Sequence, residues 1–195
     1  MKLMHLSDLH LGKIVNGFSM LEDQKYILAQ ILELASSEKP DGVLLYGDTN
    51  STVAGALAAV KLHIPVIHVE AGNRLGTMDS PEEINRILTD HCSSLLLCAT
   101  RDAKDKLAKE NLGDKAHVVG NIMYDSFLHF ANKSWDNPEV IGLDGNPNQS
   151  KLEFSNNPYG DGFACKRIAD ILENIEACSE DKLLDLMTTV NQVYE

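Results

Sequence analysis

GVLLYGDTNSTVAGALAAVKLHIPVIHVEAG, residues 42–72, decides the fold. Two short apolar runs, GVLLYG (42–47) and PVIHVE (65–70), flank an alanine-rich stretch of helical length, STVAGALAAVKLH (51–63). Short runs with little polar alternation suit strands covered on both faces, as in a parallel sheet. The stretch therefore reads as a βαβ unit with a right-handed crossover. The same pattern extends outward to further strands at KLMHLS (2–7), SLLLCA (94–99) and AHVVGN (116–121). Helical patterns lie between them. LEDQKYILAQILELA (21–35) places Tyr26, Ile27, Ile31, Leu32 and Leu34 on one side. SPEEINRILTDH (80–91) opens with Ser80 as N-cap and Pro81 at the first helical position, and RDAKDKLAKENLG (101–113) ends on Gly113 as C-cap. The expected fold is α/β: a Rossmann-like parallel sheet of about five strands with helices on both faces.

Ligands of such sheets bind beyond the carboxyl ends of the strands. The polar residues there are Asp8, His10, Asp48, Thr49, Glu70, Thr100 and Asn121. Residues 1–131 are expected to form the sheet domain. Residues 132–158, rich in Asn, Pro and Gly, read as a linker, and residues 159–195 as C-terminal helices packing on the core. In the last of these, Leu183, Leu184, Met187, Val190 and Val193 form an apolar stripe suited to docking on the sheet, and self-association into a homodimer is a further expectation.

The chain's 195 residues suffice for a buried core without disulfides or metal. A net charge of −12 opposes a broad contact with a phosphate backbone, so nucleic acid is not the expected partner. Cys92, Cys98, Cys165 and Cys178 form no CxxC pair and fit a reducing cytoplasm. The start, with His5, Asp8 and His10, does not read as a signal peptide, and no apolar run reaches membrane-spanning length. A cytoplasmic location is expected.

MKLMHLSDLHLGK sets Asp8 and His10 just after the first strand, a pairing that suits divalent ions. Through NGFSMLEDQKYIL to EKPDGV, residues 1–42 resemble the nuclease subunit of the bacterial SbcC/SbcD complex, a manganese metallophosphoesterase. The resemblance implies a metal site of Asp8, His10 and Asp48. The family's GNH[DE] motif meets only Gly120-Asn121-Ile122 here and its GHxH motif has no counterpart, which leaves the site incomplete.

From residue 40 onward, GDT (47–49), HVEAG (68–72), PEEINR (81–86) and GN (120–121) occur in an order that resembles the non-hydrolysing UDP-N-acetylglucosamine 2-epimerase family. The likeness covers about 40–130 and returns at NNPYGDGFACKRIADIL (156–172). It implies one half of a two-domain, GT-B-like enzyme of polysaccharide biosynthesis that takes a UDP-sugar and needs no cofactor. It also implies catalytic roles for Asp48, Glu70 and Glu82, converging on one crevice. Two of them have a plainer reading: Glu82 in a helix's first turn favours the dipole, and Asp48 can cap the helix after it. His68 reads as a packed or hydrogen-bonded strand histidine. Asn73 stands where many members carry leucine.

The family's N-terminal substrate motif and most of its nucleotide-binding second domain have no counterpart, so the leaving diphosphate would lack its electrostatic stabilisation. The chain thus reads as a mosaic, a nuclease-like first unit joined to an epimerase-like core. The leading expectation is an epimerase-like isomerase. A manganese-dependent phosphoesterase and a non-catalytic α/β remnant are the alternatives.

Overall fold

The two innermost strands are buried along their whole length, and successive side chains point to opposite covered faces, which sets the layers. The structure is a computed structural model and describes residues 2–6, 9–10, 12–136 and 159–174. Its main sheet has five strands: β1 (Leu3–His5), β4 (Gly42–Tyr46), β5 (Val66–Val69), β6 (Leu95–Cys98) and β7 (Ala116–Val118), all parallel and in that spatial order. The expected five-stranded parallel sheet is therefore present. Four crossovers that step one strand at a time in one direction place their helices on one face when all are right-handed.

The packing agrees. Val43, Leu45 and Val66 meet Ala56 and Ala59 of α2 (Asn50–Lys61), while Leu96, Cys98 and Ala116 meet Ala103 and Leu107 of α4 (Arg101–Lys109). Between these helices, α3 (Pro81–Cys92) packs against α2. The residues one step along each strand, Ile67, Val69, Leu95 and Leu97, face the other way onto Ile168 and Ile171 of α6 (Ala164–Asn174). Alanines on α2 let that helix sit close to the sheet, and a Cβ on Gly55 would come within 3.0 Å of Leu45.

Several local expectations are revised. Gly113 does not cap α4: the helix ends at Lys109, Asn111 takes the left-handed conformation with φ 62°, and Gly113 opens a single 3-10 turn. Ser80 occupies the N-cap position of α3 but its hydroxyl makes no cap bond, whereas Thr49 and Thr100 do cap α2 and α4. A hairpin of β2 (Ile14–Val15) and β3 (Phe18–Ser19) was not expected; Asn16 and Gly17 both have positive φ, as its tight turn demands. Helix α5 (Ile122–Asp136) carries past the point where the linker was expected to begin. Helix α1 (Leu21–Glu38) forms as expected but buries no residue. The stripe at Leu183–Val193 and Cys178 lie outside the described residues. Among those described, no helix is long and apolar enough to cross a membrane.

Candidate active site

Asp48 lies two residues, and Glu70 one residue, past the carboxyl ends of the neighbouring strands β4 and β5. Each is set by a left-handed residue: Gly47 has φ 75°, and Glu70 itself has φ 70°. A non-glycine residue in that region costs energy that its surroundings must supply. Here they do. The loop after Glu70 is held from two sides, and Gly72, also left-handed, lies so close to α4 that an added Cβ would stand 2.4 Å from the Ala103 carbonyl oxygen.

The first anchor is a buried charge cluster. His68 Nδ1 lies 2.6 Å from Asp90 Oδ1, and the other Asp90 oxygen accepts from the Gly72 N–H at 3.1 Å and from Arg74 Nη1 at 2.8 Å. Arg74 then grips Glu110 with two donors, Nε and Nη2, at 2.8 and 2.9 Å, the forked geometry that favours arginine with carboxylates. Burial pushes the Asp90 carboxyl upward, but its bonds to His68 and Arg74 hold it net below the usual carboxylate range.

Glu83 is the second anchor. It is 2% exposed and accepts the backbone N–H groups of Leu75 and Gly76 at 2.9 to 3.0 Å. Burial opposes its ionisation, yet those two amides and Arg86 keep its carboxyl below its ordinary value. Arg86 also donates to Asp48 Oδ2 at 2.5 Å, so one guanidinium bridges Glu83 and Asp48. Asn85 donates to the Asp48 carbonyl at 3.0 Å. On the Glu70 side, the Tyr46 hydroxyl donates to Glu70 Oε1 at 2.8 Å. Burial first, and then Glu70, raise the phenol's pKa far enough that it remains a donor at any physiological pH.

The expected third carboxylate behaves differently. Glu82 is exposed at the head of α3, where its Oε2 accepts from the Ser80 hydroxyl at 2.6 Å, and that bond lowers its pKa. The inward position on this turn belongs to its neighbour Glu83. Sequence reasoning also passed over Arg74, Arg86, Asp90 and Tyr46. PEEINR did contain Arg86, three residues after a carboxylate on the same helix face. His68 is the hydrogen-bonded strand histidine it was expected to be.

Of the expected metal ligands, Asp8 lies outside the described residues, His10 is exposed, and Asp48 is paired with Arg86. Among the described residues no three His, Cys, Asp or Glu side chains gather into a group that could hold a metal ion.

A family model described as UDP-N-acetylglucosamine 2-epimerase matches residues 3–148, a span that takes in the stretch read above as nuclease-like. A UDP-2,3-diacetamido-2,3-dideoxy-D-glucuronate 2-epimerase of Pseudomonas aeruginosa is 50% identical over 122 residues, 61% of this chain and 34% of its own length. The crystal structure of the Methanocaldococcus jannaschii UDP-GlcNAc 2-epimerase in complex with UDP-GlcNAc and UDP superposes with a TM-score of 0.54 at 46% identity, covering 61% of this chain and 33% of that one. The Neisseria meningitidis UDP-GlcNAc 2-epimerase bound to UDP-GlcNAc gives 0.56 at 34% identity, covering 66% and 35%. The chain thus spans about a third of the length of the relatives it matches.

Proposed function

The chain belongs to the UDP-N-acetylglucosamine 2-epimerase family, and from that premise we propose that it carries the carboxylate half of a UDP-sugar 2-epimerase site. The reaction inverts C2 of the sugar of UDP-N-acetylglucosamine. A carboxylate removes the C2 proton, the C1–O bond breaks as UDP departs with its electron pair, and an unsaturated sugar remains. Return of UDP to C1 and of a proton to the opposite face of C2 gives the N-acetylmannosamine epimer. No oxidant and no metal enters the balance.

The observation that carries this reading is the pairing of Asp48 and Glu70 on adjacent strand ends, each with its own fixed hydrogen-bond donor, Arg86 and Tyr46. Glu70, aimed by a neutral phenol, suits proton transfer at C2. Asp48, ion-paired with Arg86, suits orientation of the sugar or proton delivery on the other face. Glu82, open to solvent at the head of α3, would act only with substrate laid across that turn. The expected division into a sheet domain (1–131), a linker (132–158) and C-terminal helices (159–195), the homodimer and the cytoplasmic location belong to the same reading.

The test is proton NMR of UDP-N-acetylglucosamine incubated with the chain in heavy water. Solvent deuterium should enter at C2, and Asp48→Asn and Glu70→Gln should abolish it. Glu82→Gln decides whether that residue takes part. A C2 that stays protonated at high protein concentration sinks the proposal for this chain.

A further inference from the structure

His68 is fully buried, yet a side chain that can carry charge is costly to bury without a role. It sits at the centre of β5, paired with Leu45 and Leu96 across the sheet, and projects to the face covered by α2, α3 and α4. Its Nδ1 meets Asp90 at 2.6 Å and its Nε2 meets the Gly47 carbonyl oxygen at 2.8 Å. A carbonyl only accepts. Asp90 is an ionised carboxylate whose other oxygen already accepts from Gly72 and Arg74, so it too only accepts. Both ring nitrogens must therefore donate, which only the doubly protonated ring can do.

We propose that His68 is held as an imidazolium in the folded chain and is the positioning residue that locks the Asp48 turn to the Glu70 loop. The path is short. Gly47 precedes Asp48, and Gly72 follows Glu70 by two residues; His68 and Asp90 join the Gly47 carbonyl to the Gly72 amide through three hydrogen bonds.

Charge balance favours the same state. Around the ring stand Asp90 from α3, Arg74 from the loop after β5, and Glu110 from the end of α4 acting through Arg74. From β6 comes Cys98, whose thiol is pushed up to about 12 by burial and so stays neutral. An imidazolium gives the fully buried Asp90 a second cation beside Arg74, which also serves Glu110, itself 28% exposed and paired with His91 as well. With a neutral ring, the buried Asp90 would have only Arg74, a cation it shares with Glu110. The lock's bearing on catalysis rests on the function proposed above, but the lock itself does not.

Two measurements on the full chain test it. In long-range proton–nitrogen NMR at neutral pH, both ring nitrogens of His68 should carry protons; one bare ring nitrogen would overturn the proposal. In His68→Asn, amide hydrogen exchange should quicken at Gly47 and Gly72 together, by about tenfold for the loss of a hydrogen bond. The β6–β7 ladder should keep its protection. Faster exchange in one loop alone, or in neither, overturns the lock. If the variant does not fold, the wild-type ring spectrum decides. Neither readout needs turnover, so an inactive chain fails the epimerase proposal and leaves this one standing.

Discussion

Two parts of this molecule carry similar apolar patterning and end in opposite states. Helices α2 and α4 press Ala56, Ala59, Ala103 and Leu107 fully onto the sheet, and the loops above them are tied by Asp90, Arg74 and Glu83. The N-terminal unit of β1, the hairpin and α1 is tied mainly by polar contacts. Gln24 reaches back to the carbonyls of Leu9 and His10 and accepts from the Gly12 amide, while Lys2 pairs with Glu38. Leu21, Tyr26, Ile27, Leu32 and Leu34 of α1 remain open to solvent. Apolar spacing makes a helix amphipathic, but burial needs a facing surface. The four strands from β4 onward each carry buried residues and supply that surface to the helices between them, whereas no residue of β1 is buried.

Arg74→Ala should sharpen the contrast most. Its side chain is 9% exposed and neutralises Asp90 and Glu110 at once. Removing it leaves a carboxylate buried with only His68 to oppose it, a loss of about 3–5 kcal/mol by the general cost of breaking a buried ion pair. Urea unfolding would measure this. A loss below about 1 kcal/mol would mean that the cluster is wetter and looser than its geometry, and that the two halves of the chain differ less than the packing implies.

Glu83→Gln comes next, with a pH signature. The carboxylate loses its ion pair with Arg86 and much of its hold on the Leu75 and Gly76 amides, an expected cost of about 2 kcal/mol at pH 7. Its pKa is depressed in the folded chain, so its stabilisation is present above the unfolded value of roughly 4.3 and fades as pH falls through the lower folded value. The gap between wild type and variant should therefore be constant from pH 7 to 5 and close below about pH 4. A gap that closes above pH 5 would mean that Glu83 is not the group being titrated. Glu82→Gln, on the exposed side of the same turn, should leave the unfolding curve where it is.

That neighbouring pair shows where the sequence stopped being legible. PEEINR said that a carboxylate at the head of α3 matters, but adjacent helical residues point about 100° apart. The packing of the loop at Leu75 and Gly76 settles which one turns inward. The five strands and the helices between them were readable because each is a local pattern of apolar residues bounded by turn residues. So were the carboxyl-end positions of Asp48 and Glu70. The cluster of His68, Arg74, Asp90 and Glu110 was not, since its members are far apart in the chain and on four different elements, and nothing local says that they meet. The hairpin was legible and missed: Asn16-Gly17 between Ile14-Val15 and Phe18-Ser19 is the strongest short turn signal in the chain.

The smallest expected effect tests the contrast most directly, because it applies one substitution to both regions. Leu107 is fully buried between α4 and the sheet, and Leu32 on α1 is 57% exposed. Leu107→Ala should cost about 2–5 kcal/mol, from lost burial and the cavity left behind. Leu32→Ala removes little buried surface, and alanine's helix propensity offsets part of what is lost, so its effect should stay within about 0.5 kcal/mol of zero. Both are read from the shift in urea midpoint at constant slope. If Leu32→Ala instead costs more than about 1.5 kcal/mol, α1 is packed against something in solution that the described residues do not provide. The N-terminal unit would then be a second, covered layer, and the unevenness between the two ends of the sheet would vanish. If the cost grows with protein concentration, that cover is another copy of the chain, since only association makes stability depend on concentration.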